Sequence, residues 1–284
     1  MRIGRIPYIN CYPVYGAIDR GVVPLEAELI DGVPTGLNAR MAEGSLDVSV
    51  ISAVEYARAA DRYLLLPDLA ISCDGPVRSV MLFARRPVTA LHGARVLVSR
   101  SSMTSVALLE LLFEHVWGVR PVLVPGDAEP ADLDQLEHEP HEARLVIGDA
   151  ALILGARRTG AHSAVGRLPL YPHAYDLGAE WKAWTGRPFV FAVWVAQRAT
   201  PLADALRAHR ALADSRDWGL AHLPALAAQA EATTGVPLDH CREYLSGLDY
   251  RLAAHHQDGL TEFFRRLEAA GRVPGGELAF LPAA

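Results

Sequence analysis

Lysine is almost missing from this chain. Lys182 is the only one among 27 lysine and arginine residues, and 33 acidic residues leave a net charge of −6 at pH 7. Without a broad basic field the protein is not built to gather nucleic-acid phosphates or anionic lipid, so any anion it binds is captured locally. Cysteine is scarce as well. Cys11, Cys73 and Cys241 are odd in number and widely spaced, which fits free thiols in a reducing compartment and argues against a disulfide framework or a metal knot. No apolar run reaches the length of a bilayer crossing. Met1 runs straight into Arg2-Ile3-Gly4-Arg5-Ile6, with neither the apolar stretch nor the small-residue cleavage site of a secretory signal. The expectation is a cytoplasmic protein without membrane or nucleic-acid partners.

The usual cofactor motifs are absent too. There is no Gly-x-Gly-x-x-Gly turn, no phosphate loop ending in Gly-Lys, no His-Glu-x-x-His and no Gly-x-Ser-x-Gly elbow. His138 and His141 fall in an acidic stretch with Glu129, Asp132, Asp134, Glu137 and Glu139, read as solvated surface, and His255-His256 falls near a helix start. None of these reads as a metal site, so neither a metal nor an organic cofactor is expected.

What is present is a length of 284 residues, enough for two domains at a common ~150 residues each. The first part alternates strands over 2–6, 26–30 and 46–51 with helices over 14–20, 37–43 and 53–60, the rhythm of an α/β lobe with a largely parallel sheet. Strands over 64–70 and 77–84 follow, and Arg85-Arg86-Pro87 breaks them. A second cycle has a strand over 94–98, a helix over 106–117 and strands over 121–124, 144–147 and 163–170. After a last strand over 190–196, helices over 202–212, 220–233, 237–246 and 257–270 fill the tail. This predicts a first lobe of residues 1–85 and 191–284, with a second lobe, 86–190, inserted into it. Two chain crossings, near 84–88 and 189–193, then hinge a ligand cleft. The tail is expected to pack on its own lobe, and the protein to be a monomer or dimer.

Three polar loops interrupt the apolar runs: Tyr8-Ile9-Asn10-Cys11-Tyr12-Pro13, Cys73-Asp74-Gly75-Pro76-Val77-Arg78-Ser79, and Ser99-Arg100-Ser101-Ser102-Met103-Thr104-Ser105. They are expected to converge on one small anion between the lobes. Asn10 lies just past the first strand, where open α/β sheets bind ligands, although an asparagine beside proline also makes turns. Ser79 is placed within an apolar strand, as a buried hydroxyl in need of a partner. Ser101, Ser102, Thr104 and Ser105 open onto an amphipathic helix whose free N–H groups suit a carboxylate or phosphate; the same residues suit an ordinary N-cap. Asp149 reads by default as the cap of a helix starting at Ala150.

With these positions in view, the chain resembles the MqnA family, the chorismate dehydratases of the futalosine route to menaquinone. The resemblance rests on the three loops, on Leu46-Asp47-Val48, on Ile147-Gly148-Asp149-Ala150-Ala151-Leu152 and on Arg187-Pro188-Phe189-Val190-Phe191-Ala192-Val193-Trp194. Tyr12 departs from it, standing where the family often has an aliphatic residue. The resemblance implies a two-lobe α/β fold of the type II periplasmic-binding-protein kind, with mixed sheets flanked by helices and a cleft between the lobes. It implies a cofactor-independent hydro-lyase that converts chorismate to 3-(1-carboxyvinyloxy)benzoate. Asn10 and Ser79 would take the catalytic positions, and Ser101, Ser102, Thr104, Ser105 and Asp149 would contact the substrate. Two alternatives share the fold. One is a non-catalytic cytoplasmic binding protein for a small anion, against which the missing export signal and the Asn10 and Ser79 motifs count. The other is the dihydroxynaphthoate synthase family, which resembles this chain in fold but places a histidine in the second lobe where this chain has Gly148-Asp149.

Overall fold

A computed structural model describes residues 1–126, 140–159 and 171–282. The acidic residues from Glu129 to Glu139, His138 and the expected strand over 163–170 lie outside the described residues. Along the chain the strands are β1 (Arg2–Arg5), β2 (Glu28–Asp31), β3 (Val48–Ser52), β4 (Tyr63–Cys73), β5 (Val80–Ala84), β6 (Arg95–Ser99), β7 (Val122–Gly126), β8 (Ala143–Ile147), β9 (His173–Asp176) and β10 (Phe189–Gln197). The helices are α1 (Tyr12–Asp19), α2 (Pro34–Ala42), α3 (Ala53–Arg58), α4 (Met103–His115), α5 (Gly148–Thr159), α6 (Leu177–Thr185), α7 (Leu202–Ala221), α8 (Leu223–Thr234), α9 (Leu238–Gly247) and α10 (Ala254–Ala269).

The strands form two five-stranded sheets with one spatial pattern, β2-β1-β3-β10-β4 and β7-β6-β8-β5-β9. In each sheet three parallel strands are followed by one antiparallel strand that the chain brings from the other lobe, β10 in the first and β5 in the second. The sheets are therefore mixed, not largely parallel. The inner strands β3 and β8 are buried at all five positions, as strands covered on both faces are.

This pairing moves both expected crossings. β5 bonds β8 on one edge and β9 on the other, so all of it belongs to the second sheet. β10 lies wholly in the first. The chain consequently leaves the first sheet through residues 74–79 and returns after α6, through 186–188. The strand expected over 77–84 also begins later, at Val80. Arg78 is left-handed at φ 61° and the Ser79 N–H turns back to Val77 O at 2.8 Å, a conformation no pleated strand accommodates. Ser79 therefore sits at the end of the crossing loop, one residue before the strand.

The helical tail lies largely on the first lobe. α7, which continues past the expected 212 to Ala221, packs on α1 and β4, and α10 packs on β10 and α3. Among the described residues no helix is long and apolar enough to cross a membrane.

Candidate active site

A cleft opens between the lobes at the carboxyl ends of β1, β3 and β8, the position where open α/β sheets take ligands. Tyr8, Asn10, Ser52 and Phe191 line it from the first lobe, Val77 and Ser79 from the crossing loop, and Ser102, Ser105, Ile147 and Gly148 from the second lobe. Its cavity of about 60 Å³ has room for a few water molecules.

Asn10 sits in a short 3₁₀ turn, Ile9–Cys11, and its buried Oδ1 has no hydrogen-bond partner. Ser79 is 4 % exposed; its hydroxyl faces the phenol of Tyr244, but the phenol makes no bond of hydrogen-bond geometry. The loop that presents Ser79 is held by one carboxylate. Asp176 Oδ1 accepts from the N–H groups of Val77 at 3.0 Å, Gly178 at 3.0 Å and Ala179 at 3.1 Å, and Oδ2 accepts from Arg78 N–H at 2.6 Å. The same side chain thus caps α6 and fixes the two residues before Ser79. A Cβ at Gly178 would lie 2.6 Å from both Cys73 Sγ and Gly75 O, so only glycine lets α6 approach this closely.

The four hydroxyls at the start of α4 part company. Ser102 is the N-cap: its Oγ accepts from Ser105 N–H at 3.2 Å and its hydroxyl donates to Ser105 Oγ at 2.8 Å, and both residues line the cleft. Thr104 does not line it. Its side chain, 2 % exposed, accepts from Val54 N–H at 3.2 Å and ties α4 to the start of α3 in the other lobe. Ser101 is also outside the lining, with its N–H bonded to Ser99 Oγ at 3.1 Å.

Asp149 is not the cap of its helix. α5 begins at Gly148, and Asp149 in its first turn reaches across to the first lobe, where Oδ1 accepts from Ile9 N–H at 3.1 Å. Gly148, at φ 60°, is packed so tightly that a Cβ would come within 2.9 Å of the Tyr8 ring. These two contacts fasten the second lobe to the turn that carries Asn10.

Among the described residues no lysine, arginine or histidine lines the cleft. Its positive potential comes from helix starts instead, since Pro34, Ser102 and Gly148 bring the N-termini of α2, α4 and α5 to it. The two neighbouring thiols stay protonated. Burial pushes Cys11 up and the Asp149 charge adds to it; burial and then the Asp176 charge do the same to Cys73. At the start of α10, Asp249, His255 and His256 draw together, with His256 Nδ1 accepting from Ala253 N–H at 3.3 Å and Nε2 3.2 Å from Asp249 Oδ2. Nδ1 serves the helix start, as a cap does.

Sequence reasoning passed over several site residues. Asn38 Nδ2 donates to Ser52 Oγ at 2.9 Å and its Oδ1 accepts from Ser52 N–H at 3.1 Å, fixing a cleft hydroxyl. An amide inside the expected helix over 37–43 was its one visible signal. Asp176 precedes a helix that the sequence reading did not assign, so neither its cap nor its clamp on a distant loop was read. Tyr244 gave no local signal.

A family model described as menaquinone biosynthesis matches residues 1–269. A chorismate dehydratase of Thermus thermophilus is 31% identical, over 92% of this chain and 95% of that protein. A 1,4-dihydroxy-6-naphtoate synthase of the same organism is 28% identical, over 95% of each. Among solved structures, a protein of Archaeoglobus fulgidus has a TM-score of 0.75 at 20% identity, over 96% of this chain and 98% of that one. The alkanesulfonate-binding protein of Xanthomonas axonopodis has a TM-score of 0.67 at 12% identity, over 99% and 96%. These structural likenesses bear on the fold, and it is a periplasmic-binding-protein-like one.

Proposed function

Since the chain belongs to the menaquinone-biosynthesis family, we propose that its cleft dehydrates chorismate to 3-(1-carboxyvinyloxy)benzoate. The observation that carries this reading is the meeting of Asn10, with its unpaired Oδ1, and Ser79 in one narrow cleft that three helix starts reach and whose described lining holds no cation. The reaction breaks a ring C–H bond, uses its electron pair to complete the aromatic ring, and releases the neighbouring hydroxyl with the proton as water. Aromatisation supplies the driving force. The protein has to orient the bonds and stabilise developing charge, and no electron is gained or lost, so the step needs no redox cofactor.

In this reading the Ser105 hydroxyl, whose oxygen already accepts from Ser102, donates its proton to a substrate carboxylate at the start of α4. Asn10 Oδ1 accepts from the ring hydroxyl, and Ser79 donates to that hydroxyl as it leaves. Cys11 and Cys73 are held protonated, so the ring proton passes to one of the substrate's own carboxylates. A cavity of about 60 Å³ is too small for a ten-carbon dicarboxylate; the lobes therefore part about the crossings at 74–79 and 186–188 to admit it.

The test is to incubate purified protein with chorismate, without added metal, and follow mass and ultraviolet absorbance. The expected result is an aromatic product lighter by one water. Chorismate that is bound but unchanged would instead support a receptor for small anions.

A further inference from the structure

α9 is clamped to the crossing loop. Glu243 forms an ion pair with Arg78, and a Cβ on Gly247 would come within 2.9 Å of Arg78 Nη1. Tyr244, the residue after Glu243 and 1 % exposed, lies beside Ser79, the residue after Arg78. Tyr250 is equally buried, and neither phenolic oxygen has a hydrogen-bond partner. Buried phenols ordinarily find one. Two unpaired phenols near a site that also holds the unpaired Asn10 Oδ1 break the local rule of polar satisfaction, which proteins do at functional sites.

A serine hydroxyl has one proton and two acceptor positions, and it rotates. Val77 and Val80 on either side of the loop end cannot direct that proton, and no capping or carboxylate contact does so. Tyr244 can.

We propose that Tyr244 is the positioning residue for Ser79: its phenol donates to Ser79 Oγ and turns the Ser79 proton into the cleft, toward the hydroxyl that leaves the substrate. This rests on the dehydratase reading. Burial holds the Tyr244 pKa well above its ordinary value, with Ser79 opposing the effect and the Asp149 charge adding to it. The phenol therefore keeps its proton and remains a donor. Rotation of the Ser79 side chain completes the bond, as catalytic hydrogen bonds often tighten only with substrate in place.

Tyr244→Phe keeps the ring and its packing. In a chorismate assay it is expected to lower kcat by about 10- to 100-fold, the usual cost of removing a group that orients a reacting one. KM should move by less than about twofold, and the melting temperature should not fall, because the lost hydroxyl was unpaired. In a Ser79→Ala background the same change should do nothing further, since no hydroxyl is left to orient. A merely structural tyrosine would instead lower the melting temperature and act equally in both backgrounds. Equal losses in both backgrounds, or an active wild type indifferent to Tyr244→Phe, overturn the role of Tyr244 alone. A wild type inert toward chorismate overturns the dehydratase reading and this inference with it.

Discussion

The start of α4 and the loops carrying Asn10 and Ser79 face the same cleft in opposite states of hydrogen bonding. At α4, Ser102 and Ser105 bond each other and Thr104 bonds Val54. Across the cleft, Asn10 Oδ1 has no partner and Ser79 faces only an unpaired phenol. A buried polar group left unmade costs about 1–3 kcal/mol. On the proposed reading, the satisfied groups at α4 hold the cleft's shape, and the open groups of Asn10 and Ser79 are kept for a substrate.

The most severe test of this contrast is removal of the open groups. Asn10→Ala and Ser79→Ala are each expected to lower kcat on chorismate by about 10²–10³, the scale of one preorganised hydrogen-bonding group, without loss of stability in a thermal melt. An equal kcat loss in Ser102→Ala would erase the contrast. Next is Asp176→Ala, which strips the acceptor from four N–H groups. It should cost on the order of 2 kcal/mol in denaturant unfolding and lower kcat by about tenfold through a loosened Ser79 loop. Ser102→Ala, the loss of one cap, should cost about 1 kcal/mol, seen as a drop of ~2–4 °C in melting temperature, with kcat within a few-fold of wild type.

The smallest effect concerns pH. With Cys11 and Cys73 pushed up by burial, no described residue lining the cleft is a carboxylate, histidine or lysine, and kcat should be flat from about pH 6 to 8.5. A limb near 7 would reveal a titrating base and contradict this expectation. Stability behaves differently. Above the ordinary thiol value of 9.0 the unfolded chain releases protons that the folded thiols retain, so stability should decline there as pH rises.

The two-lobe order was legible because apolar runs and turn residues alternate along the chain. The crossings were not, because β5 and β10 read as the same kind of apolar strand whichever sheet takes them, and only their pairing with β8 and β3 decides. Asn10, Ser79, Ser102 and Ser105 line one cleft, as their loops suggested. Thr104 and Asp149 do not, since a hydroxyl or carboxylate at a helix start looks alike in sequence whether it faces a ligand or the opposite lobe. Tyr244 lies 165 residues after Ser79, and its contact is made by the Arg78–Glu243 pair, which no local pattern encodes.

A structure of the protein with the dehydration product bound tests the contrast most directly. The account expects Asn10 Oδ1 and Ser79 Oγ within hydrogen-bond distance of the product and the Ser102–Ser105 pair intact. A product seated elsewhere, or held in the cleft with Asn10 and Ser79 still unpaired, would contradict it.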